Sequence, residues 1–198
     1  MKPRGLVTLL TAALAALALS GCATSQTPVS QYTLPDAPIG EHDIGATAEH
    51  QLVIRPIRLA SYLDVEGIVL QVDELTVRAA RTHQWAEPLG RQLERGLRDR
   101  LAARLPDTRV LLDDATRRQD TPVALRIEMT RFQGRHDGQA IAEGRWQLRD
   151  ASGELLALTP FRLTTTLQAD GYPALVKALG ANLDRLAEQL AGHIRQLR

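Results

Sequence analysis

Apolar and polar positions change rhythm several times along this chain, and each change marks an element. Residues 6–19 form an unbroken apolar run behind Lys2 and Arg4. Residues 23–49 lose periodicity. Pro28, Pro35, Pro38, Gly40 and Gly45 punctuate a polar stretch, which predicts a tether with extended pieces. Within it, Gln31–Leu34 alternates like a short edge strand. From His50 the pattern tightens. Gln51–Ile57 reads as a strand, and Pro56, which has no N–H to give a ladder, calls for a sheet edge or a bulge there. Gly67–Val72 and Leu75–Arg78 flank Asp73-Glu74 as a hairpin.

From about Gln84 the period becomes helical. Leu89, Leu93, Leu97, Leu101 and Leu105 recur every four residues, and Arg91, Arg95, Arg98 and Arg104 fill the other faces. Pro88 suits the first turn of this helix and Pro106 marks its end. A short strand, Arg109–Leu112, follows. Val123–Phe132, Ala140–Arg149 and Leu155–Leu167 then alternate over strand length. Gly134/Gly138 and Asp150-Ala151-Ser152-Gly153 join them into an antiparallel meander. The chain closes on a second helix, with Leu175, Leu179, Leu183, Leu186, Leu190, Ile194 and Leu197 on one stripe.

One-faced helices and a sheet must cover each other's apolar sides. The predicted fold is therefore α+β: a mixed, mostly antiparallel sheet with two amphipathic helices packed on one face. Leu93, Leu97, Leu183 and Leu186 lie mid-stripe and should be buried. The repeat of the last helix also resembles a coiled-coil seam. At about three heptads it reads as a core stripe.

The apolar run at the start gains its meaning from Leu19-Ser20-Gly21-Cys22. A basic start, an apolar segment too short to cross ~30 Å of hydrocarbon, and small residues before a cut make a secretory signal peptide. A cysteine directly after the cut adds a thiol that can carry diacylglycerol. Cys22 is the one cysteine in the chain, so it serves neither a disulfide nor a metal. The predicted division is 1–21 lipoprotein signal peptide, 22–49 lipidated N-terminus and tether, 50–198 folded domain. No cofactor is expected beyond the covalent N-acyl and S-diacylglycerol groups, palmitate-type chains, on Cys22. Several acyl chains anchor stably at about 0.8 kcal/mol per buried methylene. Ala23 and Thr24 follow the cysteine with no adjacent Asp, which favours sorting to the outer membrane.

Charge and composition narrow the function further. Cleavage removes Lys2 and Arg4, leaving 22 of the 24 basic residues against 23 acidic ones, a net charge of −1 with histidine neutral. That balance gives no footprint for nucleic acid. The five histidines, His42, His50, His83, His136 and His193, hold no metal-ligand spacing. There is no HExxH, no Gly-rich phosphate loop, no Walker motif and no G-x-S-x-G. Asp113-Asp114 reads as a solvated turn. The expected protein is not an enzyme and holds no metal. Aromatics are only 4% of the chain, which makes each large ring informative. Tyr62-Leu63 precedes a strand and Trp85 stands at the mouth of the first helix. Both packing and partner contact fit these residues, and Trp and Tyr are enriched in contacts. Tyr62, Leu63 and Trp85 are the candidate partner-binding residues.

Several of these segments together resemble one family. Tyr32-Thr33-Leu34, Tyr62-Leu63-Asp64 with Ile68-Val69, Trp85-Ala86-Glu87-Pro88-Leu89, Phe132 with Gly134, and Trp146-Gln147-Leu148 resemble the PqiC family, auxiliary lipoproteins of ABC-type and MCE-type transport systems. The resemblance covers most of residues 30–198. Val65 departs from it, standing where the family pattern has a basic residue. The resemblance implies an outer-membrane, lipid-anchored protein facing the periplasm. It implies docking to an MCE-domain partner of the PqiB kind, in a system that moves lipids or other hydrophobic molecules, and assembly as a homo-oligomeric ring. A lipid-binding carrier or chaperone of the outer membrane and an envelope hydrolase remain alternative readings.

Overall fold

The computed structural model describes residues 28–37, 48–113 and 123–197. Among them, nine strands form one mixed sheet. They are β1 (Ser30–Tyr32), β2 (His50–Ile54), β3 (Arg58–Leu59), β4 (Gly67–Gln71), β5 (Val77–Trp85), β6 (Thr108–Leu112), β7 (Val123–Arg135), β8 (Gln139–Arg149) and β9 (Leu155–Thr166). The helices are α1 (Leu89–Arg104) and α2 (Tyr172–Gln196). Both lie over one face of the sheet: α2 covers β8 and β9, and α1 packs on α2 and β6.

β7 is the spine. Along one edge it pairs antiparallel with β8, which pairs antiparallel with β9. Along its other edge it meets β2, β3 and β4 in succession, all parallel. The stretch from His50 to Gln71 is thus one long path beside β7, interrupted twice. The first interruption is at Pro56. Ile54 pairs with Leu125 and Arg58 with Glu128, so one extra residue is accommodated between them. That is the bulge the proline calls for. The second is a 3₁₀ turn at Ser61–Leu63. The antiparallel pairs, β4–β5, β7–β8 and β8–β9, join strands that follow one another through short turns, whereas the parallel pairs join strands separated by longer stretches of chain.

The predicted stripes are core except at Leu197, which follows the end of the last helix and is 49% exposed. Leu93 and Leu97 are 0% exposed, Leu183 and Leu186 1%. They meet Trp146, Phe132, Leu125 and Leu148 of the sheet.

Two boundaries differ from the sequence reading. α1 begins at Leu89, not near Gln84, and β5 runs on through Trp85. The Trp85 N–H donates to the Glu66 carbonyl oxygen at 2.8 Å, and Pro88 occupies the cap with an extended backbone instead of the first turn. A residue before proline is steered away from helix, so Glu87 cannot start one. The folded domain also begins earlier than His50. Ser30–Tyr32 pairs parallel with His83–Trp85 at the sheet edge. Residues 30–35 belong to the domain, not to a free tether. The Cys22 anchor lies outside the described residues, as do residues 38–47, 114–122 and 198.

Candidate partner-docking site

The 3₁₀ turn and the end of β5 bring Tyr62, Leu63 and Trp85 to one region, with different roles. Leu63 is 1% exposed and Trp85 5%. Both are core: Trp85 packs at a tilt on Phe132, with ring centroids 6.5 Å apart. Tyr62 is half-buried. Its hydroxyl donates to the Thr130 carbonyl oxygen at 2.7 Å and lies 2.8 Å from the Gln133 side-chain oxygen. Burial pushes its phenol above the ordinary tyrosine value, Arg131 opposes this, and Glu143 adds to it. The tyrosine thus ties the turn to β7 across the sheet.

Of the three, only Trp85 lines the neighbouring groove of about 380 Å³, which is walled by Asp64, Val65 and Glu66 on one side and Ala86, Glu87 and Pro88 on the other; Tyr62 and Leu63 lie outside its lining. Val65 is 40% exposed. Here the chain presents an apolar side chain between two carboxylates, Asp64 and Glu66. Glu87 is paired with Arg95 of α1. The groove therefore offers a partner an exposed valine beside Asp64 and Glu66. Trp85, buried in the core, closes this surface from below.

A second set of residues has no signature in the sequence pattern. Gln92 and Glu94 flank Leu93 on α1 and are nevertheless buried. Gln92 accepts the Leu34 N–H at 2.8 Å on its side-chain oxygen and donates to the Glu87 carbonyl oxygen at 2.9 Å. Glu94 accepts the Ile57 N–H, just past the bulge, at 3.0 Å. Arg100 is 0% exposed. It donates to Asp184 at 2.7 Å, to the Pro35 carbonyl oxygen at 2.8 Å and to the Gly96 carbonyl oxygen at 3.1 Å. Buried polar groups demand such partners. Here the partners are the irregular backbone segments that no ladder satisfies.

The N-terminal segment is held at two more points. The Tyr32 hydroxyl lies 2.9 Å from Nδ1 of His83, and the His83 ring stacks on Tyr172 at 4.0 Å. Pro35 lies on Gly180 of α2, where an added Cβ would come within 2.8 Å of the proline ring. Only glycine permits that approach. The segment 30–35 is therefore fixed beside Trp85: the Ala86 N–H donates to the Tyr32 carbonyl oxygen at 2.9 Å.

Among the described residues no helix is long and apolar enough to cross a membrane.

Comparison with known proteins adds the following. Residues 32–191 match the family model described as ABC-type transport auxiliary lipoprotein component. The chain is 32% identical over 184 residues to the intermembrane transport lipoprotein PqiC of Escherichia coli (strain K12), covering 93% of this chain and 96% of that one. The PqiC of Shigella flexneri matches with the same identity and coverage. A crystal structure of a protein described as uncharacterized superposes with a TM-score of 0.74 at 27% identity, covering 85% of this chain and 99% of that one. A Xanthomonas campestris protein superposes with a TM-score of 0.67 at 16% identity, over 86% of this chain and 96% of that one, and shows the shared fold.

Proposed function

The chain belongs to the family of ABC-type transport auxiliary lipoprotein components, and from that premise we propose that it is the docking subunit of an envelope transport system. It is a lipoprotein of intermembrane transport. In our reading it is anchored at the outer membrane through acylated Cys22, faces the periplasm, and receives an MCE-domain protein that carries lipids or other hydrophobic molecules across. It acts by binding, not by catalysis, and works as a ring of copies.

The observation that carries this reading is the match to a named intermembrane transport lipoprotein over nearly the whole of both chains. The fixed N-terminal segment sharpens it. Only about eight residues separate Cys22 from Ser30, a span of at most ~28 Å fully extended. The domain is thus held close to the membrane that bears the anchor. The groove beside Val65 is the surface we assign to the partner. Its buried base at Trp85 keeps the shape rigid, so little ordering cost falls on binding.

Two measurements test the proposal. Mass spectrometry of the mature N-terminus should find Cys22 acylated, and Cys22→Ser should leave the membrane fraction; an unmodified cysteine there sinks the anchor. Affinity purification of the acylated protein should recover an MCE-domain protein. Recovery of lipid in stoichiometric amount and of no transporter component would favour the carrier reading instead.

A further inference from the structure

The face of the sheet away from the helices carries a groove of about 720 Å³ at the Pro56 bulge. Strand register explains its chemistry. Arg58, Glu128 and Arg145 are neighbours in one row across β3, β7 and β8. Arg126, Gln147 and Leu158 form the next row across β7, β8 and β9. The bulge adds Arg55 and Pro56, and Asp113, directly after β6, stands at the rim.

Four guanidinium groups, of Arg55, Arg58, Arg126 and Arg145, therefore converge on two carboxylates, of Asp113 and Glu128. Arg145 bridges Glu128 at 2.6 Å and Arg55 pairs with Asp113. Arg58 and Arg126 have no carboxylate within ion-pair distance among the described residues. The Arg55 Nε is buried and has no hydrogen-bond partner among those residues. Buried unsatisfied donors are rare, and each calls for an explanation. One wall is apolar and open: Leu158 is 55% exposed, and Leu156, two residues along the same face of β9, is 40% exposed.

We propose that this groove binds an anionic amphiphile through a phosphate group, with the apolar part lying on Leu158 and Leu156. The cations are all arginine, whose planar fork matches the oxygens of a phosphate. The volume lies in the range of small-molecule sites, about 300–1,000 Å³. The excess positive charge sits beside leucines, which suits a head and a tail on one molecule. The site lies apart from the Val65 groove and does not depend on the docking role.

The test is calorimetric titration of the acylated protein in a neutral maltoside detergent, with two probes. Dihexanoyl phosphatidylglycerol represents the lipid source and sn-glycerol 3-phosphate the free ester. Arg58 and Arg126 are exposed and make no ion pair among the described residues, so the double variant Arg58→Gln/Arg126→Gln should fold with an unchanged unfolding midpoint. It should bind the lipid at least about tenfold more weakly, a loss near 1.4 kcal/mol. Leu158→Ser should weaken the lipid probe and leave glycerol phosphate unaffected. Equal binding of both probes, insensitive to Leu158→Ser, would assign the site to free phosphate esters and overturn the role of the leucines. Absence of binding by either probe, or a double variant that binds like the parent, would overturn the site.

Discussion

Arg100, in the C-terminal half of the first helix, holds the carbonyl oxygen of Pro35 at 2.8 Å across 65 positions of sequence. A fully buried guanidinium thereby fastens the N-terminal segment around Pro35 to the helix layer. The same group reaches Asp184 of the second helix at 2.7 Å, so three parts of the chain meet on one side chain.

Arg100→Met should keep much of the side-chain volume and lose these bonds. We expect a destabilisation of about 1.5–3 kcal/mol, the range for hydrogen bonds to charged groups. Urea unfolding measures it. Hydrogen exchange should show the Leu34 amide losing protection before the sheet does.

Gly180→Ala separates that fastening from global stability. Alanine favours a helix by about 1 kcal/mol over glycine, yet its Cβ would strike the Pro35 ring. The expected outcome is a smaller loss of thermal stability than in Arg100→Met, because the helix preference offsets part of the displaced Pro35 contact, with faster exchange at Ser30–Leu34. Unchanged exchange there would show that Pro35 does not depend on the glycine.

In the core, Leu97→Ala and Leu183→Ala should each cost about 2–5 kcal/mol. Both side chains sit between helix and sheet at 1% exposure or less. Leu75, at 94% exposure on the β4–β5 turn, is the internal control; its truncation should stay within about 0.5 kcal/mol. Chemical denaturation of the three variants measures the contrast.

The pH dependence of the β4–β5 turn has a defined sign. The Asp73 carboxylate accepts the Leu75 and Thr76 N–H groups at 2.9 and 2.7 Å, and these bonds hold it below the usual carboxylate range. A lowered folded value means the stabilisation is present above the unfolded-state value and is lost as pH falls through the folded one. Asp73→Ala should therefore be less stable than the parent at neutral pH, and the difference should vanish in acid. Unfolding midpoints of both proteins from neutral pH down to strong acid measure it.

Much of this architecture was legible in the amino-acid pattern because it rests on local rules. The leucine spacing placed both helix faces, and the turn residues at Gly138 and Asp150–Gly153 placed the β7–β8–β9 meander, whereas Gly134, read as part of the first joint, lies inside β7 opposite Ala140. Pro56 announced its bulge. The parallel pairings of β2, β3 and β4 with β7 were not legible, since nothing local links strands so far apart in sequence. Trp85 was misplaced at the mouth of the helix because helical spacing of the leucines extends backwards without a marker, while the tertiary bond to Glu66 keeps the strand extended. The buried roles of Gln92, Glu94 and Arg100 were hidden for a similar reason. Their polarity signals solvent, and only the irregular backbone at Leu34, Pro35 and Ile57 makes them core. At the candidate site, the pattern located Tyr62, Leu63 and Trp85 together but could not tell floor from rim. The exposed residue is Val65.

Docking of a transporter subunit at the Val65 groove is tested most directly by a photo-crosslinking amino acid placed at Val65 in the acylated protein, in cells that express the whole transport system. Thr164, exposed on β9, serves as the control position. The account predicts a covalent adduct between position 65 and an MCE-domain protein, identified by mass spectrometry, and no such adduct from position 164. An MCE-domain adduct from position 164 and none from position 65, or adducts to lipid alone at both, would contradict it.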